Sequence, residues 1–198
     1  MLHMKKIFFS LLFVKICLAA AAQEPTLKRI FNGRDLKGWN VPENNIWWTA
    51  RKGILTAKSS ADKKGSILWT KKKYRDFIVQ ADFLMGDGVV DSGIFLRSEN
   101  DQIQIGISGS RKVDLTASPY IPGMSYPVEA NVKDILKPRD WNTMRIRVTG
   151  NTYSVRLNGI EVMTYTSQKI PAEGPVGLQL HPGNEMTVSF RNIRLAEL

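Results

Sequence analysis

The chain has 198 residues, 43% of them hydrophobic, with a formal net charge of +10. That length fits one domain, or one domain and a processing segment. A single cysteine, Cys17, and two histidines, His3 and His181, exclude a disulfide framework and a zinc centre built on several histidines.

The first 22 residues read as an export signal. Lys5 and Lys6 give a positive start, residues 7–18 form an apolar stretch interrupted by Lys15, and Ala20-Ala21-Ala22 offers a cleavage site before Gln23. The stretch is short for a membrane span, which needs about 20 apolar residues, so no stable membrane insertion is expected once the signal is removed. An uncleaved anchor is the alternative. A lipid-modified Cys17 is disfavoured, because Val14-Lys15-Ile16 lacks the small residues such a signal carries. The expected domain is 23–198, secreted or periplasmic, with no thiol. Removing the three signal lysines leaves 25 bases against 18 acids, a net charge of +7. The basic cluster Lys71-Lys72-Lys73, with Lys63-Lys64 nearby, belongs to no nucleic-acid-binding motif. It reads as a solvated loop, and no nucleic-acid partner is expected.

Beyond Gln23 the pattern is that of strands. Over residues 76–84, Phe77, Val79, Ala81 and Phe83 alternate with Ile78, Gln80, Asp82 and Leu84. The same period of two recurs over 93–97, 102–107, 144–148, 153–157, 178–181 and 186–191. Turns fall between these runs: Gly86-Asp87-Gly88, Gly150-Asn151, and Asn158-Gly159, a pair that favours a tight hairpin. The best helix candidate is short, residues 132–136, stopped by Pro138. Residues 109–129, with Pro119, Pro122, Gly123 and Pro127, break the rhythm; Tyr120 and Tyr126 favour an ordered loop over a disordered one. Many short alternating strands predict an all-β fold, a two-sheet antiparallel sandwich or barrel.

Parity also places polar side chains. Arg97 follows Phe95 on one face of its run, Gln102 and Gln104 oppose Ile103 and Ile105, and Gln179 and His181 oppose Leu178 and Leu180. If these runs are neighbours, Arg97, Gln102, Gln104, Gln179 and His181 converge on one surface. Amide and guanidinium groups bind sugar hydroxyls through paired hydrogen bonds, and Trp48, Trp69, Trp141 or Tyr120 could cover a pyranose face. An ordinary solvated strand face is the plain alternative. His181 could transfer protons or be a solvated residue beside Pro182; no Gly-x-Ser-x-Gly elbow accompanies it. Glu99, Asp91, Asp101, Asp114 and Glu129 lie near this surface or the long loop, though Asp91 could equally be turn chemistry. No metal ligand set and no cofactor is predicted; a divalent metal held by oxygen ligands stays open.

Several ordered motifs resemble one family. Phe31-Asn32-Gly33-Arg34-Asp35-Leu36-Lys37-Gly38-Trp39 is similar to the opening of the 3-keto-disaccharide hydrolase domain family, long classed as a domain of unknown function. Gly53-Ile54-Leu55-Thr56, Tyr74-Arg75-Asp76-Phe77, Ser92-Gly93-Ile94-Phe95-Leu96-Arg97, Trp141-Asn142, Leu157-Asn158-Gly159, Gly174-Pro175-Val176-Gly177-Leu178-Gln179-Leu180-His181 and Phe190-Arg191-Asn192-Ile193 follow in the family's order. The resemblance implies a concanavalin-like, lectin-like jelly roll with a concave sugar-binding face. It implies export, an oligosaccharide or glycoside substrate, and cleavage of glycosides previously oxidised at C3, by C2 proton abstraction and β-elimination. By position it implies substrate contacts for Arg97, Gln104, Gln179 and His181. Many members carry a glutamate where this chain has Gln102, and an amide is no base. Glu99, Asp114 or His181 is then left to move protons; the expected catalytic pair is His181 and Glu99, with Asp91, Arg97, Gln102, Gln104, Gln179 and Tyr120 binding substrate. Residues 114–120 also depart from the Gly-containing, Tyr-ending loop of many members. A non-catalytic carbohydrate-binding module on the same fold is the competing reading.

Overall fold

The computed structural model describes residues 24–198; the expected signal, residues 1–22, lies outside them. The described chain is built from strands β1 (Lys28–Arg29), β2 (Trp39–Asn40), β3 (Trp48–Arg51), β4 (Ile54–Lys58) and β5 (Ser66–Thr70). Then come β6 (Phe77–Gly88), β7 (Asp91–Leu96), β8 (Gln102–Gly106) and β9 (Pro119–Tyr120). The C-terminal part holds β10 (Asn142–Thr149), β11 (Thr152–Leu157), β12 (Ile160–Thr166), β13 (Val176–Leu180) and β14 (Met186–Glu197). They form two antiparallel sheets, one eight-stranded in the order β12-β11-β10-β6-β14-β4-β3 with β1 on β14, the other six-stranded in the order β2-β5-β13-β7-β8-β9. The expected all-β sandwich is the observed fold.

Side-chain parity fixes how the sheets face each other. In the larger sheet Val79 pairs with Ile146 and Ile146 with Val155, so three strands present apolar residues at one level. The smaller sheet answers with Leu68, Ile94, Leu96, Ile103, Ile105, Leu178 and Leu180, all buried in the same core. Burying each such side chain stabilises the sandwich by about 1.5–3 kcal/mol relative to leaving it in water. The other faces of β7, β8 and β13 are left to carry polar groups.

The hairpin at Asn158-Gly159 has the predicted chemistry. Both residues take positive φ, 51° and 88°, and Leu157 pairs directly with Ile160 across the two-residue loop. Two expectations differ. Gly86 and Gly88 do not break the strand, since β6 runs to Gly88. They allow close approach instead: a Cβ on Gly86 would sit 2.9 Å from the Thr187 carbonyl oxygen. Residues 132–136 form one turn, closed by Ile135 N–H and Leu136 N–H to the Val132 carbonyl, and no helix. Asp134 takes φ 65°, which ends any helical course, and a single turn does not repay helix nucleation. The long excursion 109–129 is ordered. Its β9 pairs with β8, and single antiparallel bridges join Ile107 to Asp114 and Ile121 to Ser125.

Candidate active site

The antiparallel pairing of β13 with β7, and β7 with β8, decides which polar residues meet. Gly93 stands opposite Gln104 on one side and Gln179 on the other. Having no side chain, Gly93 leaves a gap across the outer face of the sheet, and Gln102 fills it. A Cβ on Gly93 would lie 2.3 Å from Gln102 Nε2. Through that gap Gln102 Nε2 donates to Gln179 Oε1 at 2.8 Å, to Gln104 Oε1 at 3.2 Å and to the Ser92 carbonyl at 3.1 Å. Gln104 Nε2 in turn donates to Asp91 Oδ1 at 2.8 Å, and Tyr126 Oη–H to Gln104 Oε1 at 3.1 Å. Asp91, Gln102, Gln104 and Gln179 are all buried. Buried amides linked in this way are held in one orientation, because each flip would leave like atoms facing each other.

The ladder between β7 and β13 extends one step further, with His181 N–H donating to the Asp91 carbonyl at 3.2 Å. Asp91 and His181 are therefore cross-strand neighbours on one face. His181 Nδ1 lies 2.7 Å from the Pro182 carbonyl oxygen and 3.5 Å from Asp91 Oδ2. A carbonyl only accepts, so Nδ1 carries the hydrogen and Nε2 of the neutral ring keeps its lone pair. Asp91 Oδ2 is buried and has no hydrogen-bond partner among the described residues. An unpartnered buried carboxylate oxygen costs free energy unless a bound group donates to it.

These residues floor a cavity of about 470 Å3. Its far wall comes from the long loop: Ser108, Gly109, Ser110, Pro122 and Tyr126, with Tyr120 from β9. Gly109 is close to the floor, and a Cβ there would stand 2.8 Å from Asp91 Oδ2 and 3.7 Å from His181 Cε1. The rings of Tyr120 and Tyr126 lie 5.3 Å apart. Burial pushes the Tyr126 hydroxyl up to about 12, with the Asp91 charge adding to the effect and a Ser108 hydrogen bond opposing it, so it stays a donor at neutral pH. Glu99 lines the same cavity and is exposed.

The structure thus brings Asp91, Glu99, Gln102, Gln104, Tyr120, Gln179 and His181 together around one cavity. It does not bring Arg97. Strand β7 ends at Leu96, and Arg97 takes φ 64°, which stops the alternation that would have set it beside Phe95. Its side chain is 1% exposed and donates from Nη1 to the Gly150 and Pro171 carbonyls at 2.6 and 3.0 Å. From Nη2 it donates to the Arg75 carbonyl and, at 3.0 Å, to Asp76 Oδ1. Burial pulls its pKa below the ordinary value, and Asp76 opposes that pull. Arg97 is a clamp holding loops at one end of the sandwich, and no sugar contact is open to it there.

Other candidates also lie elsewhere. Asp114 caps a turn through Thr116 N–H, Glu129 pairs with Arg111, and Asp101 is buried against Tyr153 Oη at 3.1 Å. Trp48 is buried in the core, and Trp141 stacks under Arg191 with 4.1 Å from guanidinium carbon to ring centroid. Among the described residues no group of three or more His, Cys, Asp or Glu side chains is placed to hold a metal ion. Sequence reasoning gave no weight to Gly93, Gly109 or Gly177; glycines inside strand runs, as at 93 and 177, were the available signal for close approach.

The fold has solved counterparts. A Parabacteroides distasonis protein provisionally described as a glycosyl hydrolase is 25% identical, with TM-score 0.68 over 88% of this chain and 100% of that one. The carbohydrate-binding module CBM66 from Bacillus subtilis is 16% identical, with TM-score 0.55 over 81% of this chain and 96% of that one. The exoplasmic/lumenal domain of VIP36, in a Ca2+/Man3GlcNAc-bound form, is 11% identical, with TM-score 0.62 over 88% of this chain and 91% of that one. The last two likenesses concern fold, and identify a lectin-like sandwich. Comparison with curated proteins gives no match in sequence. The profile of the 3-keto-alpha-glucoside-1,2-lyase-like domain matches residues 26–196, nearly the whole described chain. The chain therefore belongs to the 3-keto-alpha-glucoside-1,2-lyase-like domain family.

Proposed function

We propose that this protein is an exported carbohydrate-active enzyme that cleaves 3-keto-glycosides through C2 proton abstraction and β-elimination. The observation that carries the reading is the Asp91–His181 pair at the cavity floor, with a free Nε2 on one ring and an unpartnered Oδ2 behind it. A general base needs a lone pair at the reacting proton and a group that orients it. Family membership and sugar-binding relatives of the same fold support a carbohydrate ligand.

The C3 ketone acidifies the C2 proton. His181 Nε2 takes that proton, and the C2–H electron pair moves onto the ketone oxygen as an enolate. The enolate then collapses: C1=C2 forms, the C1–O bond breaks, and the departing oxygen takes a proton from Glu99 or water. The products are a 3-keto-2-hydroxyglycal and the free aglycone; addition of water to the glycal completes a net hydrolysis. The amide NH2 of Gln179, whose Oε1 is held by Gln102 Nε2, makes no hydrogen bond among the described residues and can donate to the enolate oxygen. Asp91 stabilises the imidazolium as it forms.

Export rests on Lys5, Lys6, the apolar run 7–18 and the alanines at 20–22. A mature N-terminus at Gln23, read by mass spectrometry of secreted protein, tests it; an uncut chain would overturn it. The catalytic reading is tested by offering a 3-keto-glucoside and following aglycone release. Turnover by the wild type and its loss in H181A support it. Tight binding of the sugar with no turnover by folded protein would overturn it in favour of a binding module.

A further inference from the structure

Beside the main cavity, across His181 and Gln179, lies a second hollow of about 570 Å3. Its floor is made by the device seen at Gly93. Gly177 stands between Trp69 on β5 and Phe95 on β7 in the ladder. A Cβ there would lie 2.6 Å from Trp69 Cε3 and Cζ3 and 3.0 Å from Ile67 Cγ2. The missing side chain lets the indole lie across the sheet, with its ring centre 5.5 Å from that of Phe95. Trp69 and Ile67 remain half-buried, so the shelf is accessible.

The chemistry of the two hollows differs. The main cavity holds the linked amides, Asp91 and two tyrosines. The shelf adds Ile67, Trp69 and Pro182 to the residues it shares with that cavity, and its one further hydroxyl, Ser66 Oγ, accepts from Trp48 Nε1 at 2.8 Å. Phe95, Glu99, Gln179 and His181 line both hollows. A ligand that spans them places its polar ring on the amides and its other end on the indole, with the joining bond beside His181.

Resting on the reading of His181 as the base, we propose that the Ile67–Trp69–Phe95 shelf is the leaving-group subsite and selects a flat, apolar aglycone of aromatic type. A second sugar would find only Glu99, Gln179 and His181 there as side-chain partners for its several hydroxyls, and those left unpaired weigh against binding. An aromatic ring gains from stacking on the indole.

Benzyl, methyl and glucosyl 3-keto-glucosides test this, because the benzyl and methyl leaving groups are of similar basicity. The wild type is expected to show kcat/KM for the benzyl compound about tenfold above the other two. Trp69→Ala is expected to bring the three near parity, and Trp69→Phe to restore most of the preference. Equal loss on all three, or preference for the glucosyl compound, overturns the assignment. A second readout does not need turnover. The Trp69 indole N–H resonance should shift with unoxidised benzyl glucoside and stay fixed with methyl glucoside. Absence of that shift overturns the subsite, whereas a shift without turnover of any substrate retains the subsite and removes the catalytic reading. Near-UV circular dichroism and melting of each variant separate lost binding from lost folding.

Discussion

Asp91 Oδ2 and His181 Nδ1 stand 3.5 Å apart, although 90 positions separate the two residues, because β7 and β13 run antiparallel and bring them opposite each other one step beyond the paired strand residues. A buried carboxylate oxygen without a donor and an imidazole with a free nitrogen form an arrangement that a substrate completes.

Removing either member should therefore separate chemistry from binding. His181→Ala is expected to lower kcat on a 3-keto-glucoside by about 10²–10⁴-fold with a small change in KM. Asp91→Asn should lower kcat less, about 10–100-fold, since the ring stays and only the opposing charge is lost. Steady-state kinetics on both variants check this. A loss carried mainly by KM would make the pair a binding feature.

Gln102 explains why a carboxylate is absent from that position. The two hydrogens of its NH2 group serve three acceptors, Gln104 Oε1, Gln179 Oε1 and the Ser92 carbonyl, one of them shared. Gln102→Glu would turn an oxygen toward them, so burial and repulsion should raise the new carboxyl's pKa. A raised folded pKa means that the variant is least affected in acid and loses stability as pH rises above the unfolded value of about 4.3. The melting difference from wild type should grow from pH 4 to pH 8, reaching about 1–3 kcal/mol. A pH-independent difference would show that the amide network has rearranged.

Arg97 should behave as a structural residue. Arg97→Met removes charge-assisted bonds to the Gly150, Pro171 and Arg75 carbonyls, each group near or inside the sandwich end. The expected loss is about 3 kcal/mol in denaturant unfolding, with kcat and KM of the remaining folded protein unchanged. A selective rise in KM would place the guanidinium in the substrate site after all.

Asp101 offers a pH test away from the cavity. Burial raises its pKa above the usual carboxylate value, and hydrogen bonds from Ser167 and Tyr153 and the nearby Lys169 and Arg97 charges oppose the rise only in part. A raised folded pKa makes stability fall as pH climbs through the unfolded value of about 3.9 toward the folded one. Asp101→Asn should flatten that segment of the melting profile. An unchanged slope would assign it to other acids.

Gly109→Ala probes the loop wall. The added Cβ would sit 2.8 Å from Asp91 Oδ2, closer than Cβ contacts allow, so either the carboxylate turns away from His181 or the loop shifts outward. Activity should fall at least tenfold while the melting temperature changes by no more than a few degrees, because Gly109 itself is only half-buried and the added methyl would meet cavity groups, not the apolar core. Full activity would show that the wall already stands open during turnover.

Much of this architecture was legible in the residues alone. Alternation in Phe77, Val79, Ala81 and Phe83, or in Ile103 against Gln102 and Gln104, states which side chains face the apolar core between the sheets, because an extended strand turns successive side chains to opposite faces. Asn158-Gly159 states its own turn, because positive φ is a local preference. Parity even grouped Gln102, Gln104, Gln179 and His181 correctly. It failed at Arg97, where one residue in the left-handed region ended the extended course and sent the side chain to another end of the sandwich. Only the tertiary structure decided that Gln102 reaches Gln179 across Gly93, that Trp69 lies across Gly177, and that Asp91 backs His181. Those contacts join residues up to 108 positions apart, set by strand order and register. Backbone preferences are local and written in neighbouring residues, whereas a cavity is made where distant strands close on one another.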